Sequence, residues 1–144
     1  MKTLIRNLST IFFITMVLGA SSCKKDNDGP ASIVCKWYLK SEIFRTYING
    51  HLEDSEETRS SSLSDYIEFK RDGTGASSNK DEGTQPFTYS INNDRTQLTL
   101  VDDGDSYTVD IKKLSSRELV LGLEEEFTLN SELHKYIFEI TYRK

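Results

Sequence analysis

The chain has little of what metal sites, disulfide scaffolds and nucleophilic catalysis draw on. Its 144 residues include two cysteines, Cys23 and Cys35, and two histidines, His51 and His134. The C-x11-C spacing matches no zinc pattern, and a zinc site needs three or four ligands. Each histidine stands in a polar context and reads as a solvated surface group. No Ser/His/Asp order, Cys/His pair, G-x-S-x-G turn or phosphate loop occurs. We therefore expect no metal, no cofactor and no catalysis. Positive charge is also short, with 18 basic residues against 23 acidic and a formal net charge of −5. Without Lys2 and Arg6, the two charges ahead of Cys23, 16 basic residues remain against the same 23 acidic ones. Such a surface repels the phosphate backbone, so nucleic acid is excluded as a partner. What remains, 36% hydrophobic and 28% charged, suits one ordinary globular domain.

Long apolar runs are missing too. The longest, "IFFITMVLGA" from Ile11 to Ala20, falls short of the roughly 20 residues that cross a membrane. Lys2 and Arg6 precede it, and Gly19, Ala20, Ser21 and Ser22 follow. A positive start, a short apolar core and a small-residue site are the layout of a secretory signal. The stretch "LGASSC" resembles the lipobox of bacterial lipoproteins, cut just before a cysteine that becomes diacylated. That resemblance implies lipidation at Cys23 and attachment to a membrane. It departs from the pattern at Ala20, where leucine is usual, and ordinary signal-peptidase cleavage stays open. Two acyl chains anchor stably where one binds only reversibly. Lys24, rather than aspartate, follows the cysteine, and by resemblance to lipoprotein sorting this does not favour inner-membrane retention. The expected location is the bacterial outer membrane, on its periplasmic or its outer side. The expected division is a signal over 1–22, the lipidated cysteine and a solvated linker over 23–33, and one folded domain over 34–144.

From Val34 onward the apolar residues recur with period two, the mark of half-buried strands. Trp37, Leu39 and Ile43 share one parity. Ile67 and Phe69 alternate with Glu68 and Lys70 ahead of an Asp72-Gly73 turn, and Phe87, Tyr89 and Ile91 alternate ahead of Asn92-Asn93. Leu98 and Leu100, then Tyr107, Val109 and Ile111, flank the turn "DDGD". Leu119, Leu121 and Leu123, then Tyr136, Phe138, Ile140 and Tyr142, continue the pattern. The expected strands are 34–47, 64–71, 74–79, 85–91, 96–101, 105–113, 118–125 and 134–143. Segments 48–65 and "EEEFTLNSELHK" lack alternation and read as loops. Short connections predict an antiparallel meander. Eight such strands close into an up-and-down barrel, which removes exposed edges and covers the apolar face. A two-sheet β-sandwich is the alternative, but it needs longer crossovers than these turns allow.

The segments "CKWYLKSE", "YIEFKRDGTG", "YSINNDRTQLTL" and "LSSRELVLGL" resemble, in order and spacing, the lipocalin-like domains of small secreted bacterial lipoproteins. In that resemblance Trp37 is the first-strand tryptophan. Phe69, Asp72, Gly73 and Thr74 form the F-x-x-D-G-T signature. Leu114, Ser115, Leu119 and Leu121 match L-S-x-x-x-L-x-L. Cys35 replaces a common glycine, and no helix follows the last strand. The resemblance implies an eight-stranded barrel that binds a small hydrophobic ligand without catalysis. Candidate ligand-binding residues are Trp37, Phe69, Tyr89, Tyr107, Tyr136 and Phe138, with a small cavity expected near a mouth covered by the 48–63 loop. The same rings could instead fill the barrel, since each buries roughly 150–250 Å². The protein would then be an interaction module that meets an envelope protein partner through its outer face and loops. "DDGD" (102–105) and Glu124–Glu126 lack calcium-loop spacing and read as a hairpin turn and a solvated strand end. Cys35 reads as a small apolar filler or as the partner of Cys23 in a disulfide, and the latter is incompatible with lipidation.

Overall fold

A computed structural model describes residues 31–144. The expected signal, Cys23 and most of the linker lie outside the described residues. Among the described residues nine strands follow one another: β1 Lys36–Ile48, β2 His51–Arg59, β3 Tyr66–Phe69, β4 Thr74–Asn79, β5 Gly83–Ile91, β6 Gln97–Asp102, β7 Asp105–Leu114, β8 Glu118–Leu129 and β9 Glu132–Arg143. Each pairs antiparallel with its sheet neighbours, and β1 also pairs with β9. Eight strands therefore close into a barrel, and β2 is an addition to it. The lower part of β1, Lys36–Tyr38, pairs with β3, while Ser41–Ile48 on the same edge pairs with β2.

Two expected loops are strands. Residues 48–63 are not a loop over the mouth. β1 turns at Asn49-Gly50, with φ of 52° and 81°, into β2, whose nine residues are all exposed. Asn-Gly is a strong two-residue hairpin signal because both positions need φ > 0. No alternation marks β2 because neither of its faces is buried, so its register comes from β1 alone. "EEEFTLNSELHK" likewise extends β8 to Leu129 and starts β9 at Glu132, through Asn130-Ser131 with φ of 52° and 68°. Burial stops near Gly122, and the period-two signal stops with it.

A third difference lies inside β1. The register with β9 slips between Leu39 and Ser41. The extra residue reverses which side chains point inward, because side chains alternate strictly along a strand. Glu42 and Phe44 thus face Ile140 and Phe138 on the inner side, and Ile43 sits opposite Glu139 on the outer side. Ile43 does not share a face with Trp37.

The two ends of the barrel differ. At one end, Trp37, Leu98 and Leu119 are fully buried and Phe69 is 1% exposed. The segment Ile33–Cys35 crosses this end and joins its core. Trp37 Nε1 donates to the Ile33 carbonyl at 2.8 Å, and Phe69 N donates to Cys35 O at 3.0 Å. The β3–β4 turn beside it is fixed by Asp72, whose Oδ1 accepts from Thr74 N at 3.0 Å and from Thr74 Oγ1 at 2.7 Å. Those bonds hold the Asp72 carboxyl below its usual range, the bond from the Thr74 hydroxyl foremost. Gly75 is required one residue later. A methyl there would overlap the Phe87 ring and the Glu68 carbonyl. This is the closed end. At the other end β1, β2, β8 and β9 outgrow the remaining strands and project as a four-stranded arm.

Candidate functional site

The inner face between the two ends is not filled. A cavity of about 270 Å³ opens between the β6–β9 wall and Ile67 and Ser77 opposite. Its floor is buried, with Leu121 at 3% and Leu100 at 5% exposure. Its mouth is wet, with Tyr107 half exposed and Leu123 and Phe138 only partly covered. The volume exceeds the roughly 150 Å³ that holds a benzene-sized guest and approaches the roughly 300 Å³ of small-molecule pockets. Register explains the lining. Leu100 pairs with Tyr107, Leu121 with Ile140 and Leu123 with Phe138, and directly opposed residues share a face.

The polar groups in the cavity are few. Tyr142 lines it, and burial, with smaller contributions from the Glu42 charge and from Tyr107, pushes its phenol far above the usual range. Tyr142 is therefore a neutral hydroxyl at physiological pH. Burial, then Asp102, raises the Tyr107 phenol in the same way. Ser77 is the remaining hydroxyl. Above the mouth, the inner face of the arm carries rings in contact. Phe44 stacks on Tyr136 with centroids 5.8 Å apart, and Phe127 lies 5.4 Å from both Tyr136 and His134. Among the described residues, no group of three or more His, Cys, Asp or Glu is placed to hold a metal.

The six candidate residues divide three ways. Trp37 and Phe69 belong to the closed-end core and do not line the cavity. Tyr89 packs on Phe69, centroids 4.9 Å apart, and donates its hydroxyl to Lys70 O at 2.6 Å, so it too belongs to the closed end. Tyr107 and Phe138 line the cavity, and Tyr136 stands above it on the arm. Sequence reasoning missed Glu42 and Phe44, because the slip at Lys40 hides their parity. Tyr142 carries the same alternation as Tyr136 and Phe138 and was legible as inward-facing.

An antiparallel eight-stranded barrel with an apolar cavity open at one end is a small-ligand-binding fold. The family model for the lipocalin-like domain matches residues 33–121, and the chain belongs to that family. The family is in general one of binding proteins rather than catalysts. In comparisons with curated proteins and with solved structures, nothing matches the chain. The match ends at Leu121, ahead of the arm portion of β8 and all of β9.

Proposed function

We propose that the protein is a non-catalytic carrier of a small hydrophobic molecule, held on the bacterial outer membrane by lipid at Cys23. The open cavity carries the ligand half of this reading. A barrel filled by its own rings would favour an interaction module instead, but here the rings of Trp37, Phe69 and Phe87 gather at one end and leave space at the other. The test is fluorescence of the neutral probe N-phenyl-1-naphthylamine with the mature protein. Enhancement is expected, and Val109→Trp, which plugs the cavity wall, should weaken it at least about tenfold. Fluorescence that stays flat, or that Val109→Trp leaves unchanged in a folded barrel, overturns the carrier reading.

The anchor half is supported by the signal, the lipobox resemblance and the layout of the barrel. Ala31 meets the closed end, where its carbonyl accepts from Arg95 Nη2 at 2.5 Å. Residues 24–30 could reach roughly 25 Å at full stretch. A lipid on Cys23 would thus leave the mouth facing away from the membrane. Around the closed-end turns Lys70, Arg71, Arg95, Arg117, Arg143 and Lys144 outnumber Asp72 and Asp94, whereas at the open-end turns Asp81, Glu82, Asp103, Asp105 and Glu132 outnumber Lys80. Anionic headgroups attract the first set and repel the second. One observation competes. Cys35 is disulfide-bonded in this structure, and Cys23 is the one other cysteine. One sulfur cannot hold both a thioether to diacylglycerol and a disulfide. Intact mass of the native protein without reductant separates them. Added acyl mass on an N-terminal Cys23 is expected, and a Cys23–Cys35 disulfide sinks the anchor.

A further inference from the structure

We propose that the cavity selects a cationic amphiphile, an apolar molecule bearing a protonated amine or similar cation, with Glu42 as its counter-charge. This rests on the carrier reading and adds the ligand's charge to it. The argument begins with register. Along the inner face from the cavity upward stand Glu42, Asp54, Glu56, Asp105, Glu125 and Glu132, and these strands place no Lys or Arg there. Their cations lie on the outer face, already engaged. Arg45 pairs with Glu139 at 3.0 Å, Lys112 with Asp110 at 2.9 Å, and Lys135 with Glu124 and Glu126. Three cations thus meet four outer carboxylates, whereas the inner carboxylates make no ion pair among the described residues.

Glu42 is the inner carboxylate that pairs directly across the sheet with a cavity-lining residue, Ile140. It is half-buried, pairs across the sheet with Ile140 and Thr58, and makes no ion pair among the described residues. It lies close enough to Tyr142 for its charge to act on the phenol. Tyr142 itself lines the cavity. A carboxylate drawn partly out of water is costly unless a cation or donors meet it. A ligand ammonium is such a cation, and the rings of Phe44 and Phe138, the next pair along the same inner face, would add cation–π attraction. A fatty carboxylate meets the opposite: like charge and no basic partner.

The test uses three ligands with one tail, decylammonium, decanol and decanoate. Each is kept below its micelle concentration, and each competes with N-phenyl-1-naphthylamine on the mature protein. Decylammonium should bind about tenfold tighter than decanol, and decanoate weakest of the three. Glu42→Gln should bring decylammonium to within about twofold of decanol and leave decanol unchanged. A diffuse attraction of any cation to a protein with 23 acidic residues would survive that single change. Decanoate binding as tightly as decylammonium, or an ammonium preference that persists in Glu42→Gln, overturns the proposal. Even if the variant folds poorly, the lack of an ammonium preference on the unaltered protein overturns the proposal. Displacement by decanol without an ammonium preference defeats this inference alone, whereas probe binding that fails altogether defeats the carrier reading beneath it.

Discussion

On the same inner face of the same sheet, Trp37, Leu98 and Leu119 at the closed end are 0% exposed, while Phe44, Leu123 and Phe127 toward the open end are 39–40% exposed. The side chains are of one chemical kind, so hydrophobicity does not decide the difference. Closure does. Below, the sheet wraps fully round and Ile33–Cys35 covers the end. Above, the last β8 residue paired with β7 is Gly122, and the seven residues from Leu123 to Leu129 pair with β9 alone, a stretch of about 23 Å at 3.3 Å per residue. Its rings face no second sheet. The closed end spends its rings on stability, and the open end leaves them available to a guest.

The contrast breaks most sharply by truncating one ring at each end. Trp37→Ala should cost about 3–5 kcal/mol, the usual loss for a buried large aromatic. Phe127→Ala, on a residue 40% exposed, should cost about 1 kcal/mol or less. Urea unfolding followed by far-UV circular dichroism measures both, since Trp37 is the single tryptophan and its fluorescence is lost in the first variant. Equal costs would mean that the arm is as well packed as the core. Gly75→Ala comes next. The added methyl must displace the Phe87 ring, and overpacking of this kind costs about 1–3 kcal/mol. Because Phe87 lies at the closed end, probe affinity in the cavity should stay within about twofold. A variant that keeps its stability but loses the probe would show that the two ends are not independent.

The same contrast explains what could be read from the chain. Where one face meets the core, as at Ile67-Phe69, Phe87-Tyr89 and Leu98-Leu100, alternation is sharp and the strands stand where expected. The order of motifs around Trp37 and Asp72-Gly73-Thr74 was enough to indicate the family. Where neither face is buried, as along β2 and the outer part of β8, there is no period to read, and only Asn49-Gly50 betrayed the hairpin. The slip at Lys40 was invisible because a bulge is a relation between two strands rather than a property of one. The cavity was equally hidden. An inward Leu that fills space and one that lines it look alike in sequence, and the difference depends on where Trp37, Phe69 and Phe87 cluster.

The smallest expected effect concerns the charge that pins the closed end. Asp72 is solvent-exposed, yet its bonds from Thr74 hold its carboxyl below the ordinary value. A carboxyl whose folded value is depressed adds stability at pH above its unfolded value, near 3.9, and that contribution disappears as pH falls through the folded value. Asp72→Asn keeps an oxygen that can accept from Thr74 but removes the charge. The stability difference between wild type and Asp72→Asn should therefore hold steady from about pH 7 to about pH 5 and then shrink below about pH 4. Urea midpoints at the three values measure it, and high salt should leave most of it, because hydrogen bonds rather than distant charges are its main cause. A difference that grows on acidification has the wrong sign for a depressed carboxyl. It would mean that Thr74 does not hold Asp72 and that the closed end is fixed by its core alone.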